Sequence, residues 1–217
     1  MPDQQTREFP LFPLGIVALP GETVPLHIFE PRYRTMIERC LSADAESPER
    51  EFGIVLLSEQ ELKPVGCACE VAEVLERMDD GRLNILARGT RAFRLLSRQE
   101  HLPYPAGVVE FFEEPIEEPD RHSAQGAREL YRELVRQATD REIGDAELSA
   151  LDAYGMAATV EFDVEAKQEL LELRSENERL RLLAMLLEAA LERLELLERA
   201  HVRALSNGKV RFGEAGA

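Results

Sequence analysis

The hydrophobic pattern of this chain changes its period about halfway along the sequence. Before residue 117, apolar positions alternate with polar ones or run in short blocks, as in Phe52–Leu57 and Pro105–Phe112. After Arg121, apolar positions recur every three or four residues. A period of two is typical of strands, and a period near 3.6 is typical of amphipathic helices. The pattern therefore predicts a strand-rich first part and a helical second part.

Five prolines interrupt the apolar run between Phe9 and Arg34. Each proline fixes φ and removes a backbone donor, so no helix can pass through this run before Pro31. Pro20-Gly21 indicates a turn, and Pro31 suits the first position of a helix. We therefore expect strand, turn, strand and helix in that order. The expected inner face of this helix consists of Tyr33, Met36, Ile37 and Cys40.

Further strands are predicted at the two apolar blocks and within Val65–Met78. The alternation that begins at Leu83 stops at Gly89-Thr90 and is followed by the apolar segment Ala92–Leu96. This arrangement predicts a hairpin with its turn at Gly89-Thr90. About six short strands and one helix predict a small, partly closed β-barrel.

The segment Glu113–Asp120 is acidic, contains two prolines and lacks periodicity, which is typical of a linker. We therefore expect an α+β protein with two subdomains. Residues 1–117 form the β-rich barrel, and residues 118–217 form an α-helical bundle that ends in a long helix.

Four helices are predicted in the second part. The first carries the stripe from Ala127 to Ala138, and the second carries Leu148 and Tyr154, with Asp145 as its N-cap. A third, short helix begins after Asp163. Ser175-Glu176-Asn177-Glu178 has the capping-box pattern, and the leucines that follow it recur with heptad-like spacing. This last helix is expected to continue to about residue 205, with Asn207-Gly208 as its stop.

The chain is strongly acidic, with a net charge of −16 at pH 7. Both halves contain more acidic than basic residues, which disfavours nucleic acid and anionic membranes as partners. No apolar run approaches the ~18 residues that a membrane-spanning helix needs, and Met1–Glu8 does not resemble a signal peptide. Three cysteines, an odd number, fit a reducing compartment. We therefore expect a cytoplasmic protein.

Three separated segments carry a resemblance to a known family: residues 9–34, the strand pair at Ile85–Leu96, and Asp163–Glu172 followed by Glu178-Arg179-Leu180. In this order they resemble the N-terminal domain of the ATP-dependent Lon proteases, which also occurs as a stand-alone bacterial protein. The resemblance extends over nearly all of residues 9–205. It implies a PUA-like pseudo-barrel followed by helices. It also implies a substrate-binding module that recognises polypeptides.

The chain lacks the motifs of the other two Lon modules. Its one Gly-Lys pair, Gly208-Lys209, is followed by Val210 and does not fit a phosphate-cradling loop. There is no Gly-x-Ser-x-Gly or His-Glu-x-x-His motif, and the chain ends about where the ATPase module begins in full-length enzymes. We therefore expect a non-enzymatic protein without a cofactor. Besides a polypeptide-binding module and an RNA-binding protein, a third hypothesis is an enzyme whose catalytic groups lie far apart in the sequence.

Cys67-Ala68-Cys69 places two thiols on one face of a strand, which suggests either a metal or redox site or core packing. The sequence shows no second ligand pair nearby, and His27 and His101 stand alone. A zinc site needs four ligands, whereas free cysteine is commonly a small core residue. Core packing is therefore favoured, and no metal site is expected.

The proline-broken segments suggest where polypeptides bind. The residues that we expect to contribute are Phe12, Leu26, Phe29 and Tyr33. Exposed apolar side chains beside a sheet margin are where extended segments add, although the same residues also suit a core. The expected partners are unfolded or hydrophobic polypeptide segments, together with a separately encoded protease or chaperone. The last helix is also apolar around much of its circumference, which suggests homo-oligomer formation through it.

The one basic stretch, which we call the arginine segment, contains Arg82, Arg88, Arg91, Arg94 and Arg98. Arg88, Arg91 and Arg94 are candidates for binding an anion, and RNA binding through this segment is the alternative function. The competing interpretation is a solvated hairpin whose arginines pair with glutamates elsewhere. Phe93 is the only aromatic residue in the segment, and interleaved aromatic residues are typical of single-stranded nucleic-acid sites. The pairing interpretation is therefore favoured.

Overall fold

The structure is a computed structural model that describes residues 6–44, 47–113, 118–139 and 141–207. The strands are β1 Thr6–Leu14, β2 Thr23–Ile28, β3 Glu51–Ser58, β4 Glu61–Arg77, β5 Leu83–Gln99 and β6 Ala106–Phe111. The helices are α1 Pro31–Ser42, α2 Arg121–Thr139, α3 Asp145–Ser149, α4 Ala153–Ala157, α5 Val164–Glu172 and α6 Glu176–Asn207. The predicted α+β class and the long last helix are confirmed.

Five of the strands form a closed barrel. The sheet order is β2-β5-β4-β3-β1-β6, and β6 also pairs with β5, which closes the circle. β1 and β3 run parallel, and the other pairs are antiparallel. β2 lies outside the closed circle because it pairs only with the first half of β5, from Leu83 to Arg88.

The opening segment folds in the predicted order of strand, turn, strand and helix. Pro31 begins α1, and Gly21 has a φ of 81°, in the left-handed region that the turn after Pro20 requires. The buried face of α1 consists of the four residues expected from the sequence, Tyr33, Met36, Ile37 and Cys40.

The predicted hairpin turn at Gly89-Thr90 is wrong. β5 passes through both residues without interruption, and the turn between β4 and β5 lies at Met78–Arg82, where Gly81 has a φ of 82°. The alternation stops at Gly89 because the turn after β1 lies directly against its backbone and leaves no room for a side chain. The glycine therefore permits a close approach and does not reverse the chain.

The predicted second helix is two short helices, α3 and α4, and Asp145 is not its N-cap. Gly144 occupies the N-cap position of α3. Asp152 caps α4 by accepting a hydrogen bond of 2.7 Å from the Gly155 backbone N–H. Asp163 caps α5 as expected, by accepting a hydrogen bond of 2.8 Å from the Ala166 N–H.

The last helix, α6, is 32 residues long and begins directly after Ser175. The Ser175 hydroxyl accepts a hydrogen bond from the Glu178 backbone N–H, as the capping box predicts. Gly208, half of the expected stop, lies outside the described residues. The side chains of Met185, Leu196 and Leu197 are exposed, and self-association through α6 stays a prediction.

The barrel and the helices share the larger of two hydrophobic clusters among the described residues, and the second, which includes Phe9, Phe93 and Phe111, lies among the strands of the closed barrel. A continuous cluster of buried side chains extends from Phe12 and Phe52 in the barrel to Leu187 in α6. Lys167 of α5 forms an ion pair with Glu22 of the barrel part. The proposed linker lies partly in residues 114–117, outside the described residues, so the division at residue 117 stays a prediction.

The three cysteines are core residues. Cys40, Cys67 and Cys69 are buried and free, which confirms the core-packing interpretation of the cysteine pair. Burial raises the pKa of Cys40 to about 11 and raises that of Cys67 well above its usual value. The thiols of Cys40 and Cys67 therefore remain protonated at neutral pH.

Candidate functional site

A groove of about 680 Å³ opens at one end of the barrel. Four segments build it: the end of β1, the start of α1, the hairpin between β3 and β4, and the connection from β5 to β6. We call it the barrel-end groove. Its apolar lining includes Pro13, Leu57, Leu62, Leu102, Pro103 and Pro105.

Prolines and tyrosines shape the inner wall of the barrel-end groove. Pro103 and Pro105 keep the connection after β5 extended, and the Pro105 carbonyl accepts a 2.8 Å hydrogen bond from the Leu11 N–H. Tyr104 is buried, and its hydroxyl accepts a 2.6 Å hydrogen bond from Arg39 of α1. Tyr33 is also buried, and burial raises its pKa above the usual value. These contacts fix the wall before any ligand binds.

The hairpin between β3 and β4 forms an outer wall with an unusual turn. Glu59 and Gln60, its two central residues, have φ values of 50° and 71°. Asn-Gly and similar pairs normally occupy such turns, because other side chains are strained in the left-handed region. Leu57, just before the turn, lines the groove with 43% of its surface exposed. Strained backbone beside an exposed apolar side chain is typical of binding sites.

Charged side chains stand at the mouth of the barrel-end groove. Arg32 donates to the Glu30 carboxylate at 2.8–2.9 Å and lies over the Tyr33 ring. Arg98 and Glu100 also line the groove, with no ion pair between them. The four formal charges sum to zero, so this mouth differs from the acidic protein as a whole.

The structure exposes one of the four residues that the sequence analysis nominated for polypeptide binding. Phe12, Leu26 and Tyr33 are buried with 5–9% of their surface exposed, which confirms the core placement that the sequence also suggested for these residues and excludes the exposure that a binding role would need for Phe12 and Leu26. The backbone turns Phe12 and Leu26 into the main core, where the Phe12 and Tyr33 rings lie 4.1 Å apart. Tyr33 still contributes to the groove wall. Phe29 is 58% exposed, stacks on His27 and directly precedes the groove residue Glu30.

Sequence reasoning missed the groove residues Leu57, Leu102 and Pro103. Leu57 ends a block of six apolar or glycine residues that predicts a strand. The four polar residues that follow it, Ser58–Glu61, are the signal that the strand ends near Leu57. Leu102 and Pro103 belong to the connection from β5 to β6, which has no hydrophobic periodicity. Only the closure of the barrel brings them to the same groove as Leu57.

Carboxylates pair with three members of the arginine segment. The ion pairs are Arg82 with Asp80, Arg88 with Glu70, and Arg91 with Glu51. Arg94 lies over the Phe112 ring at 5.7 Å, and Arg98 lines the barrel-end groove. The expected pairing with acidic residues is thus confirmed for these three arginines. Anion binding by Arg88, Arg91 and Arg94 stays a prediction.

Within the ranges that the structure describes, no three His, Cys, Asp or Glu side chains come together as metal ligands would. Likewise, no helix of those ranges combines the length and the apolar character needed to cross a bilayer.

Comparison with known proteins identifies the family. A family model described as the ATP-dependent protease La (LON) substrate-binding domain matches residues 8–189. "Lon protease 2" from Herpetosiphon aurantiacus is 28% identical over 209 residues, which is 88% of this chain and 25% of that protein. "Lon protease" from Syntrophomonas wolfei is 24% identical, with 92% of this chain and 26% of that protein covered. The chain thus spans about a quarter of the length of these curated relatives.

Two solved structures share the fold. The Lon N-terminal domain protein from Xanthomonas campestris matches with a TM-score of 0.62 at 25% identity, covering 80% of this chain and 95% of that one. The N-terminal domain of the Lon protease from Mycobacterium avium complex matches with a TM-score of 0.65 at 20% identity, covering 84% and 98%. Since the family model matches far more than half of the sequence, this chain belongs to the LON substrate-binding domain family.

Proposed function

We propose that this chain binds extended, apolar segments of other polypeptides in the barrel-end groove and does not hydrolyse them. The observation that carries the proposal is the exposed side chain of Leu57 next to the strained turn, in a groove that Pro13, Pro103 and Pro105 also line. The family to which the chain belongs is that of a substrate-binding domain, which supports a polypeptide ligand.

Apolar burial supplies the affinity in this proposal. Covering an exposed leucine or phenylalanine contributes about 1.5–3 kcal/mol, and Leu57 and Phe29 are the two largest exposed apolar groups in or next to the groove. Groove walls that are already fixed by the Leu11–Pro105 and Arg39–Tyr104 hydrogen bonds reduce the entropy lost on binding. We therefore expect binding to discriminate weakly between client sequences, because apolar contacts depend little on the orientation of the groups that form them.

The proposal of a non-enzymatic role has its own support. The matched family is the substrate-binding part of Lon proteases, and the sequence contains none of the nucleotide or nucleophile motifs named above. We further propose that the bound clients are passed to a separately encoded protease or chaperone. The three free, buried cysteines favour a cytoplasmic location for these events.

RNA binding through the arginine segment has less support than polypeptide binding. Affinity for RNA comes largely from cations that neutralise phosphates. Arg82, Arg88 and Arg91 are already neutralised by carboxylates on the same protein, and a phosphate would have to displace them.

A titration with an unfolded client tests the proposal. Fluorescently labelled lactalbumin, reduced and carbamidomethylated so that it cannot refold, is titrated with the protein at 0.05 and 0.5 M NaCl. Binding should persist at high salt, because apolar contacts are not screened as ion pairs are. Leu57→Ser should weaken it by about fivefold or more, in line with the loss of a buried leucine.

Leu75→Ser is the matched control, because Leu75 is a similarly exposed leucine on β4 outside the groove lining. Circular dichroism and urea unfolding confirm that both variants fold. Binding that disappears at 0.5 M NaCl, or equal losses in both serine variants, would contradict a site in the barrel-end groove.

A further inference from the structure

Arg98 is an exposed cation in the barrel-end groove. Among residues 6–44, 47–113, 118–139 and 141–207, no carboxylate forms an ion pair or hydrogen bond with it. Its side chain is exposed and lines the groove. Arg98 can therefore form an ion pair with a carboxylate of another molecule without first losing an ion pair to a described residue of its own chain.

Three of the arginines near Arg98 differ from it in this respect. Arg32, across the groove mouth, is paired with Glu30. Arg88 and Arg91 of the same strand are paired with Glu70 and Glu51. What distinguishes Arg98 is its place beside the apolar lining of the groove, because Arg94, which likewise has no carboxylate partner among the described residues, lies outside that lining.

We propose that the barrel-end groove selects apolar polypeptide segments that also carry a carboxylate, which pairs with the Arg98 guanidinium. The inference rests on the polypeptide-binding function proposed above and names the class of segment that it prefers. A planar guanidinium binds a carboxylate through two parallel hydrogen bonds, so it fixes the position of the segment as well as adding affinity. The apolar walls exclude water from one side of this pair and strengthen it relative to a fully solvated pair.

The remaining charges at the mouth of the groove are consistent with this assignment. Glu30 is already neutralised by Arg32. Glu100 also lines the groove and would repel a carboxylate placed near it, so the carboxylate of the client must lie closer to the Arg98 guanidinium than to Glu100. The groove thus offers one position for an acidic group and several for apolar groups.

A set of matched peptides and arginine variants tests the inference. Each peptide is a labelled, acetylated and amidated apolar 12-mer, with Asp at its centre in one peptide and Asn in the other. Affinities are measured by fluorescence anisotropy at 0.15 M NaCl for the parent protein, Arg98→Gln and Arg94→Gln. Arg94 is an exposed arginine on the same strand that lies outside the groove lining, so comparing the two variants separates carboxylate binding in the groove from the anion binding predicted for Arg94.

For the parent protein and for Arg94→Gln, the Asp peptide should bind about three- to tenfold more tightly than the Asn peptide. For Arg98→Gln the two peptides should bind equally, because the double-mutant cycle isolates this one pair. Arg98→Lys should restore part of the preference, since a lysine keeps the charge but lacks the planar fork. A third peptide, with Asn and a free C-terminal carboxylate, distinguishes a side-chain source from a terminal one.

Equal affinities of the parent protein for all three peptides would overturn the role of Arg98. A preference that Arg94→Gln and Arg98→Gln reduce to the same extent would overturn it as well. If both peptides bind and Leu57→Ser weakens both, the proposed function stands even when the Arg98 inference fails. If neither peptide binds, the proposed function fails and the inference fails with it.

Discussion

Gly89 lies directly against the backbone of Leu19: a Cβ atom on Gly89 would be 2.1 Å from the Leu19 carbonyl oxygen. The Gly89 N–H donates to the Glu22 carbonyl, and the Gly89 carbonyl accepts from the Gly21 N–H, both at 2.9 Å. The connection between β1 and β2 is thus held on β5 by backbone contacts that only a residue without a side chain permits. This contact fixes the start of β2, and β2 leads to the groove residues at the start of α1.

Replacing Gly89 by Ala should lower the free energy of unfolding by about 2–3 kcal/mol, because the added methyl group must displace backbone rather than a flexible side chain. Gly15→Ala is the control, since nothing lies within 4 Å of a Cβ there, and it should change stability by less than about 0.5 kcal/mol. Urea unfolding followed by circular dichroism measures both. A Gly89→Ala variant as stable as Gly15→Ala would show that the connection is not held in this way.

The turn at Glu59-Gln60 should respond in the opposite direction. Replacing it by Asn-Gly should raise the free energy of unfolding by about 1–2 kcal/mol, because these residues adopt left-handed φ values with less strain. Glu59→Gln is the control, since it removes the charge and leaves the strain. Thermal and urea unfolding should show stabilisation in the Asn-Gly variant alone. A loss of stability would mean that the Glu59 and Gln60 side chains make contacts that outweigh their strain.

Local patterns in the sequence predicted most of the fold. The prolines fixed the order of elements up to α1, and the spacing from Tyr33 to Cys40 identified the buried face of that helix. Periodicity did not predict the continuity of β5 through Gly89, because the cause is a contact with the turn after Pro20, nearly seventy residues earlier. A glycine required for a turn and one required for a close approach look the same in a sequence.

The groove could not be predicted from local patterns. Leu57 and Leu102 are 45 residues apart, and only barrel closure brings them to one end of the sheet. The arginine segment showed a related difficulty. Cross-strand register places Glu70 opposite Arg88 and neutralises it, whereas Arg98 lies where no carboxylate pairs with it in the described residues. The spacing of Arg88 and Arg98 in the sequence does not show which of them is paired with a carboxylate; only the three-dimensional arrangement does.

Glu51 is a half-buried carboxylate that holds two arginines and a threonine. It accepts hydrogen bonds from Arg7 at 2.6 Å and from Thr90 and Arg91 at 2.8 Å each. Burial alone would raise its pKa, but the hydrogen bonds from Thr90 and Arg91 and the positive charges of Arg91 and Arg7 outweigh this effect. The pKa of Glu51 therefore lies below its usual value of 4.5.

Because the pKa of Glu51 is lowered in the folded protein, the free energy of unfolding should decrease at acid pH. The contribution of ionised Glu51 to stability is complete above about pH 4.5, the value in the unfolded chain, and is lost as the pH falls through the lower folded value. Glu51→Gln should lower the free energy of unfolding by about 1–3 kcal/mol at pH 7. It should also flatten the decrease in stability below pH 4.5. Urea unfolding at several pH values tests this, with exposed Glu61→Gln as the control; equal acid sensitivity of the two variants would contradict it.

Substitutions at Phe29 and Leu26 should have opposite effects on binding and stability. Phe29→Ser should change the free energy of unfolding by less than about 0.5 kcal/mol, because the ring is mostly exposed. It should still weaken binding of the unfolded lactalbumin client, since Phe29 adjoins the groove residue Glu30. Leu26→Ser should cost about 2–5 kcal/mol, because it leaves a cavity and places a hydroxyl in the main core.

Urea unfolding and fluorescence anisotropy on the same two samples separate these outcomes. Binding by Leu26→Ser is measured at a temperature where the variant is fully folded, so that any loss reports on the surface and not on unfolding. Parent-like binding by Phe29→Ser, together with a loss in Leu57→Ser, would confine the client to the groove between the β3–β4 hairpin and the prolines. A loss in the Leu26 variant as large as that in the Phe29 variant would instead indicate that the client also contacts the cleft that Pro25, Leu26 and His27 of β2 line together with Leu75.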